Sequence, residues 1–215
     1  MLNVLSFSEV GGHQVNEDAS AVQPHPLDAN CWVCFVADGQ GGRAGGGAAS
    51  QVACHTALAA AGDCRPEILL EPSTWMNILR QADEAVAADK VAGFTTLIGL
   101  CVIQNRVVGA SSGDSAAMLF CGDDLTHLTA HQQKNPPVGS GAAIAIPFAA
   151  KTISPWLVLA MSDGVWKYVG WDQILDIVRI ERGQALIDNL QQAARLPRSG
   201  EFQDDFTVVL LEDRT

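Results

Sequence analysis

Residues 35–47 read FVADGQGGRAGGG, an apolar run that ends in one aspartate and continues into a glycine-rich loop. The apolar run extends back to Cys31 (CWVCFVA) and is typical of a buried β-strand. Glycine-rich loops after a strand commonly bind phosphate through their backbone amides. Asp38, however, stands at the start of this loop, where a bare carboxylate would repel a phosphate group. The position of Asp38 therefore needs another explanation.

β-like runs predominate along the rest of the chain. They lie at about residues 2–8, 31–37, 95–103, 106–112, 116–121, 152–161 and 206–212. Two of them meet at Gln104-Asn105, which predicts a hairpin. Apolar spacing predicts helices over about residues 44–61, 73–86, 171–178 and 186–194. Because strands follow one another in sequence and the helices are grouped between them, we predict an α+β fold with antiparallel sheets.

Composition restricts the class of partner. The 215 residues include 13 Lys and Arg against 24 Asp and Glu, which gives a net charge of −11. This balance argues against nucleic acid or an anionic membrane as the main partner. The apolar runs are shorter than the ~20 residues of a membrane-spanning helix, and residues 1–18 lack the basic start of a signal peptide. We therefore expect a cytoplasmic protein without membrane insertion.

Two cysteines form a CxxC pattern, which a redox pair or half of a zinc site would also show. Cys31 and Cys34 lie three positions apart in an extended run, so their side chains should point to opposite faces of a sheet. Without a second CxxC or a signal peptide, we interpret all six cysteines as reduced thiols.

Two short motifs indicate other kinds of chemistry. Residues 39–44 (GQGGRA) fit the GxGxxA pattern of dinucleotide-binding loops, but Asp38 would face the pyrophosphate with no cation between them. Residues 109–113 (GASSG) fit the GxSxG pattern of serine hydrolases. That pattern requires a following helix and a histidine late in the chain, and the sequence offers neither. Neither motif explains Asp38.

Acidic residues at the ends of separate runs offer a better explanation. Asp38 ends one run (FVADG), Asp163 ends another (LAMSDG), residues 17–18 follow the first run and residues 204–205 precede the last. Carboxylates gathered at one point would force some of their number to protonate unless cations neutralise them. Oxygen ligands select Mg²⁺, Mn²⁺ or Ca²⁺ over zinc. Scattered surface acids remain the alternative at this point.

Six short motifs occur in a fixed order along the chain. They are NEDA (16–19), VADGQGG (36–42), TTL (95–97), SGDS (112–115), SDG (162–164) and DDFTVVLL (204–211). Together they resemble the metal-dependent protein phosphatases of type 2C, and most of all the compact bacterial members of that family. The resemblance implies an αββα sandwich, in which two antiparallel sheets pack face to face with helices outside, formed by a single domain over residues 1–215.

The resemblance also implies an activity and a site. It implies a phosphoprotein phosphatase that acts on phosphoserine and phosphothreonine, opposes a Ser/Thr kinase and uses a hydroxide bridging two Mg²⁺ or Mn²⁺ ions in a single step. Such metals suit the reaction, because phosphate-monoester hydrolysis needs accelerations up to ~10²¹ and a positioned acid or base contributes only ~10²–10⁴. The metal ligands implied by position are Glu17, Asp38, Gly39, Asp163 and Asp204, with Asp114 as a ligand of an additional metal.

Three further residues are the candidate catalytic residues. By the resemblance, Asp18 would orient metal-bound water. His13 stands where the family has an arginine that binds the phosphate, and a neutral imidazole offers one donor and no charge. Arg43, in the glycine-rich loop, could substitute in part for that arginine, and a solvated surface arginine is the alternative.

Other departures from the family leave an alternative open. Lys167 stands where the family has an aspartate of the additional metal site, so a third metal is doubtful, and we expect the Lys167 ammonium to pair with Asp114. The region of about 130–150, interrupted by Pro and Gly, predicts a long loop in place of the family's larger flap. The alternative is a weakly active or inactive phosphatase-like module that binds a phosphoprotein or a signalling partner.

Overall fold

The computed structural model describes residues 2–40 and 45–213, and over these ranges the strands form two antiparallel sheets of five strands each. The first sheet has the order β1 (Leu2–Glu9), β10 (Phe206–Asp213), β9 (Trp156–Met161), β6 (Ala116–Cys121) and β7 (Asp124–His127). The second sheet has the order β2 (Asp18–His25), β3 (Asp28–Asp38), β4 (Leu97–Ile103), β5 (Arg106–Ser112) and β8 (Ile146–Lys151).

Helices cover the outer face of each sheet. The second sheet packs against α1 (Gly46–Gly62) and α2 (Pro72–Ala88), with a short 3-10 helix, Pro66–Leu70, between them. The first sheet packs against α3 (Asp163–Val169), α4 (Trp171–Ile180) and α5 (Gly183–Ala194). None of the helices in the described residues is both long and apolar enough to cross a membrane.

Alternation along the strands divides the apolar side chains between separate cores. In β3, Cys31 and Phe35 pack in the core beneath α1 and α2, whereas Cys34 and Val36 pack between the sheets. A strand covered on both faces must be apolar at successive positions, which explains the continuous run in the sequence. The predicted αββα sandwich is confirmed, and so is the burial of the two CxxC cysteines as free thiols on opposite sheet faces.

Most of the predicted elements are confirmed. The hairpin joins β4 and β5 at Gln104 and Asn105, whose positive φ values of 50° and 58° match a tight two-residue turn. The prediction of a loop through residue 150 was wrong at its end, because β8 begins at Ile146 and pairs with β5. β2, β7 and α3 were not predicted either.

Candidate active site

Acidic residues from both sheets meet at one end of the sandwich. Asp38 is the last residue of β3 and lies opposite Asp18, the first residue of β2. Asp163 begins α3, and only Ser162 separates it from the end of β9, so the LAMSDG run leads into a helix and not into a glycine turn. The backbone N–H of Asp163 donates to Asp38 Oδ2 at 3.4 Å and thereby connects the two sheets.

A cavity of about 310 Å³ opens between these strand ends. The carboxylates among the described residues that line it are Asp18, Asp38, Asp114, Asp163, Asp204 and Asp205. The basic side chains among the described lining residues are His13 and Lys134. The structure thus brings side chains that are far apart in sequence to one strongly acidic cavity, as the resemblance requires.

The two threonines of the TTL motif hold Asp38 in position. The Asp38 backbone N–H donates to Thr96 Oγ1 at 2.9 Å, and the Thr96 backbone N–H donates to the Asp38 carbonyl at 2.9 Å. Thr95 Oγ1 donates to the same carbonyl at 2.8 Å. These bonds satisfy the backbone at the end of β3 and fix the point from which the Asp38 carboxylate enters the cavity.

The glycines that follow Asp38 and Asp163 permit close backbone approach. A Cβ atom on Gly39 would lie 2.4 Å from the Glu17 carbonyl oxygen and 2.5 Å from that of Gly46. A Cβ atom on Gly164 would lie 2.0 Å from the Asp205 carbonyl oxygen. All three distances are far inside van der Waals contact, so the Asp-Gly pairs allow neighbouring segments to reach the cavity.

Burial and mutual repulsion perturb the carboxylates of the cavity. Burial, followed by the charges of Asp18 and Asp163, raises the pKa of Asp38 to about 9. Burial also raises the pKa of Asp18 to about 7, and the nearby hydroxyl groups of Ser162 and Thr207 oppose this increase only in part. Without cations, the cavity therefore disfavours the charged form of these groups.

The chemistry of the donors fits hard divalent cations. Glu17 Oε2 and Asp18 Oδ2 are buried without a hydrogen-bond partner in the described part of the chain, and a buried carboxylate oxygen in that state calls for a cation. Within residues 2–40 and 45–213, however, no three acidic, histidine or cysteine side chains form a ready-made ligand set. The carboxylates face a common cavity but stand apart, as like charges do.

Glu17 lies beside the cavity and not among its lining residues. Its carbonyl accepts hydrogen bonds from the Gly39 backbone N–H at 3.1 Å and from Ser50 Oγ at 2.6 Å. Its carboxylate packs against Gly46 at the start of α1, where a Cβ atom would come within 3.1 Å of Oε1. Metal binding by Glu17, as by the other ligands inferred from the resemblance, stays a prediction.

His13 lies at the cavity beside two carboxylates. Its Nδ1 is 3.8 Å from Asp204 Oδ1 and 3.6 Å from Asp205 Oδ2. Asp205, which the sequence analysis did not assign to a role, accepts hydrogen bonds from the backbone N–H groups of Gly11 at 2.8 Å and Glu17 at 2.6 Å. It therefore holds the segment that carries His13. Arg43 lies outside the described residues.

Two lysines pair with carboxylates of the site. Lys167 Nζ donates to Asp163 Oδ2, one helical turn away in α3. Lys134 Nζ donates to Asp114 Oδ2 at 2.5 Å. The expected pairing of Lys167 with Asp114 was therefore wrong, because the i, i+4 spacing on α3 brings Lys167 to Asp163. Lys134 was missed, because it lies in a loop where no sequence periodicity reveals its direction.

The competing serine-hydrolase motif does not form an active site. Ser111 lies inside β5 and is fully buried, so no strand–turn–helix elbow exists around it. The other motif, GxGxxA, falls largely on residues outside those that the structure describes.

The sequence model of the Protein phosphatase 2C family matches residues 8–178, which is most of the chain. This range contains every candidate metal ligand except Asp204. The chain belongs to the protein phosphatase 2C family. The prediction of a phosphoprotein phosphatase is confirmed by this membership. No curated protein matches the chain in sequence.

Solved structures agree with the family in fold. The catalytic domain of the serine/threonine phosphatase PstP, crystallised with two manganese ions, superposes with a TM-score of 0.81 at 22% identity, over 98% of this chain and 97% of that one. Stp1 from Staphylococcus aureus gives 0.78 at 19% identity over 100% and 96%. PppA from Pseudomonas aeruginosa, a regulatory component of T6SS, gives 0.75 at 24% identity over 98% and 97%.

Proposed function

We propose that this member of the family is a serine/threonine phosphoprotein phosphatase that depends on two Mg²⁺ or Mn²⁺ ions. The observation that carries the proposal is the placement of Asp38, Asp163 and Asp204 around one acidic cavity in a chain of this family. The manganese-bound PstP structure, which has the same fold, supports the choice of cation. The active domain proposed is a single one that spans residues 1–215.

Each site residue has a proposed task. Asp38, Asp163, Asp204, Glu17 and the Gly39 carbonyl would hold the two cations, and Asp114 would hold an additional one if it binds. When bound, such cations activate water and stabilise charge on a phosphoryl group. Asp18 would orient the attacking water, whose oxygen forms a new bond to phosphorus as the P–O bond to the serine or threonine oxygen breaks in a single in-line displacement. The proton that the water loses balances the proton that the released hydroxyl group takes up. His13 and Arg43 bind the phosphoryl oxygens.

The biological setting belongs to the same proposal. The substrates would be proteins phosphorylated by a Ser/Thr kinase in a bacterial signalling pathway, and the enzyme would act in the cytoplasm. The kinase, the pathway and the compartment are proposed from sequence features and from the family. The acidic cavity would repel a phosphorylated protein by itself, so a cation would have to bind before the substrate does.

The decisive experiment measures hydrolysis of p-nitrophenyl phosphate and of a phosphothreonine peptide. Mn²⁺ should support turnover, whereas a chelator or Asp38→Ala should lower kcat/KM at least about 10³-fold, since the carboxylate that organises the cations is lost. Asp123→Ala, in the exposed turn between β6 and β7, is the matched control and should retain activity. Turnover that survives both treatments would rule out the metal mechanism. Absence of turnover with the metals bound would indicate the inactive binding module.

A further inference from the structure

A lysine stands at the mouth of the acidic cavity. Lys134 lines the cavity, and its ammonium donates to Asp114 Oδ2 at 2.5 Å. The Lys134 side chain is 58% exposed, whereas that of Asp114 is 23% exposed. An ion pair open to water in this way contributes little free energy, so little opposes the transfer of the ammonium to another anion. The ammonium is therefore available to another anion that enters the cavity.

The backbone before Lys134 is fixed to the core of the site. The Gly113 N–H donates to the Gln133 carbonyl at 2.8 Å, and Gln132 Nε2 donates to the Ser115 carbonyl at 2.6 Å. Residues 113–115 form the turn between β5 and β6 that carries Asp114. Direct hydrogen bonds therefore join the segment that carries Lys134 to the segment that carries Asp114.

The backbone after Lys134 is fixed from a different side. Val138 exchanges two backbone hydrogen bonds with Thr95, at 3.0 and 3.1 Å, and its side chain is buried. Beyond it, Asp83 of α2 accepts hydrogen bonds from the backbone N–H groups of Gly139 at 2.7 Å, Gly141 at 3.1 Å and Ala143 at 3.0 Å. Asp83 is only 3% exposed, so its carboxylate accepts hydrogen bonds from this loop and not from bulk water.

The other basic groups near the cavity are engaged differently. His13 lies between Asp204 and Asp205. Lys167 donates to Asp163 and is not among the described residues that line the cavity. Lys134 therefore combines three properties that a substrate-binding cation requires: it faces the cavity, it is open to solvent and its backbone is fixed on both sides.

We propose that Lys134 is a substrate-binding residue whose ammonium exchanges Asp114 for an anionic oxygen of the phosphorylated substrate, and that Asp83 positions it by fixing residues 139–143. The inference rests on the proposed phosphatase function and names the part of the chain that recognises the substrate. The anionic oxygen belongs either to the phosphoryl group itself or to an acidic residue near it in the peptide, and the two sources share the same chemistry.

The experiment compares Lys134→Met with Lys134→Arg and with Lys90→Met, the same substitution at an exposed lysine between α2 and β4. At saturating Mn²⁺, KM and kcat are measured for p-nitrophenyl phosphate and for phosphothreonine peptides with and without neighbouring acidic residues. Loss of one charge-assisted hydrogen bond should raise KM about tenfold in Lys134→Met, with a smaller change in kcat. Lys134→Arg should recover most of the affinity, and Lys90→Met should behave as the wild type.

The pattern across substrates identifies the source of the oxygen. An increase in KM for every substrate, with weaker inhibition by inorganic phosphate, assigns Lys134 to the phosphoryl group. An increase confined to acidic peptides assigns it to a peptide carboxylate. If KM is unchanged in Lys134→Met, the role of Lys134 in substrate binding is overturned. The proposed function still holds in that case, as long as the wild type is active. Without metal-dependent turnover by the wild type, it is the proposed function that fails.

The positioning role of Asp83 is tested by a double-mutant cycle. Asp83→Asn keeps an acceptor for part of the loop, and Asp83→Ala removes all three bonds; thermal unfolding shows whether each variant is folded. If Asp83 acts through Lys134, either substitution raises KM in the wild type but adds little in the Lys134→Met background. Fully additive effects on KM, or an effect on kcat alone, would overturn the positioning role.

Discussion

Asp38-Gly39 and Asp163-Gly164 are the same dipeptide at the ends of strands in different sheets, yet their surroundings differ. Asp163 begins α3, and Lys167 one turn later donates to its carboxylate. Asp38 enters a loop, and no lysine or arginine of the described residues pairs with its carboxylate. A helix thus supplies a counter-ion to one aspartate, whereas the other has no basic partner among the described residues, which suits the external cation proposed above.

The largest expected effect is on stability and concerns Gly39 and Gly164, because the backbone comes close to a neighbouring segment at both glycines. Gly39→Ala and Gly164→Ala should each lower the free energy of unfolding by about 3 kcal/mol, since the new Cβ would overlap backbone oxygens. Urea unfolding measures the change. Gly62→Ala is the control, because a Cβ there would meet its nearest neighbour at 3.7 Å. Equal stabilities of all three variants would contradict the close approach.

Asp38 should make the stability of the metal-free protein depend on pH. The pKa of Asp38, about 9, lies above its ordinary value of 3.8, so between these values the folded state retains a proton that the unfolded state releases. Stability therefore falls as pH rises through this window. Asp38→Asn should flatten that fall by about 1 kcal/mol per pH unit, measured by urea unfolding with a chelator.

Asp163→Asn is the contrasting variant of that measurement. It removes the partner of Lys167 and also one of the charges that raise the pKa of Asp38, so it should flatten the pH dependence less than Asp38→Asn does. If the two variants gave the same slope of stability against pH, the two Asp-Gly pairs would be electrostatically equivalent and the comparison would fail.

The smallest expected effect concerns the counter-ion itself. Lys167 pairs with a carboxylate that is a candidate metal ligand, so its ammonium competes with a cation for Asp163. Lys167→Met should therefore tighten Mn²⁺ binding by about threefold in a calorimetric titration, with a change in stability of less than about 1 kcal/mol. Lys90→Met serves again as the control. Weaker Mn²⁺ binding by Lys167→Met would show that the lysine assists the cation.

The strands that the sequence failed to predict are edge strands. β2 and β8 form the two edges of the second sheet, and β7 forms one edge of the first. Edge strands tolerate polar residues and proline, such as Pro24 and Pro147, because one side of the backbone faces solvent. They therefore lack the continuous apolar run of the central strands. The seven-residue α3 was missed for a related reason, since a short helix that begins Asp-Gly has no periodicity to detect.

The candidate site was predictable in most of its cavity carboxylates and in His13, but not in the partners of its lysines. Asp38, Asp163 and Asp204 were found because each adjoins a strand that is itself recognisable, and strand ends of a sandwich meet in space. Lys134 and Asp83 were not found, because their partners are 20 and 56–60 residues away and each contact involves the irregular segment between β7 and β8. Lys167 was noticed, but its partner was wrong, because the sequence does not show that a helix begins at Asp163.

The sequence by itself determined the family, the αββα layers and the strand ends at which acids stand, because apolar alternation and short motifs are local properties of the chain. Tertiary structure decided which partners the charged side chains have. Lys167 pairs with Asp163, Lys134 pairs with Asp114, and Asp83 accepts hydrogen bonds from the backbone of a loop. Such pairings depend on where loops run and where short helices begin, and both are set by packing against segments distant in sequence. The net electrostatics of the cavity is therefore a property of the folded chain.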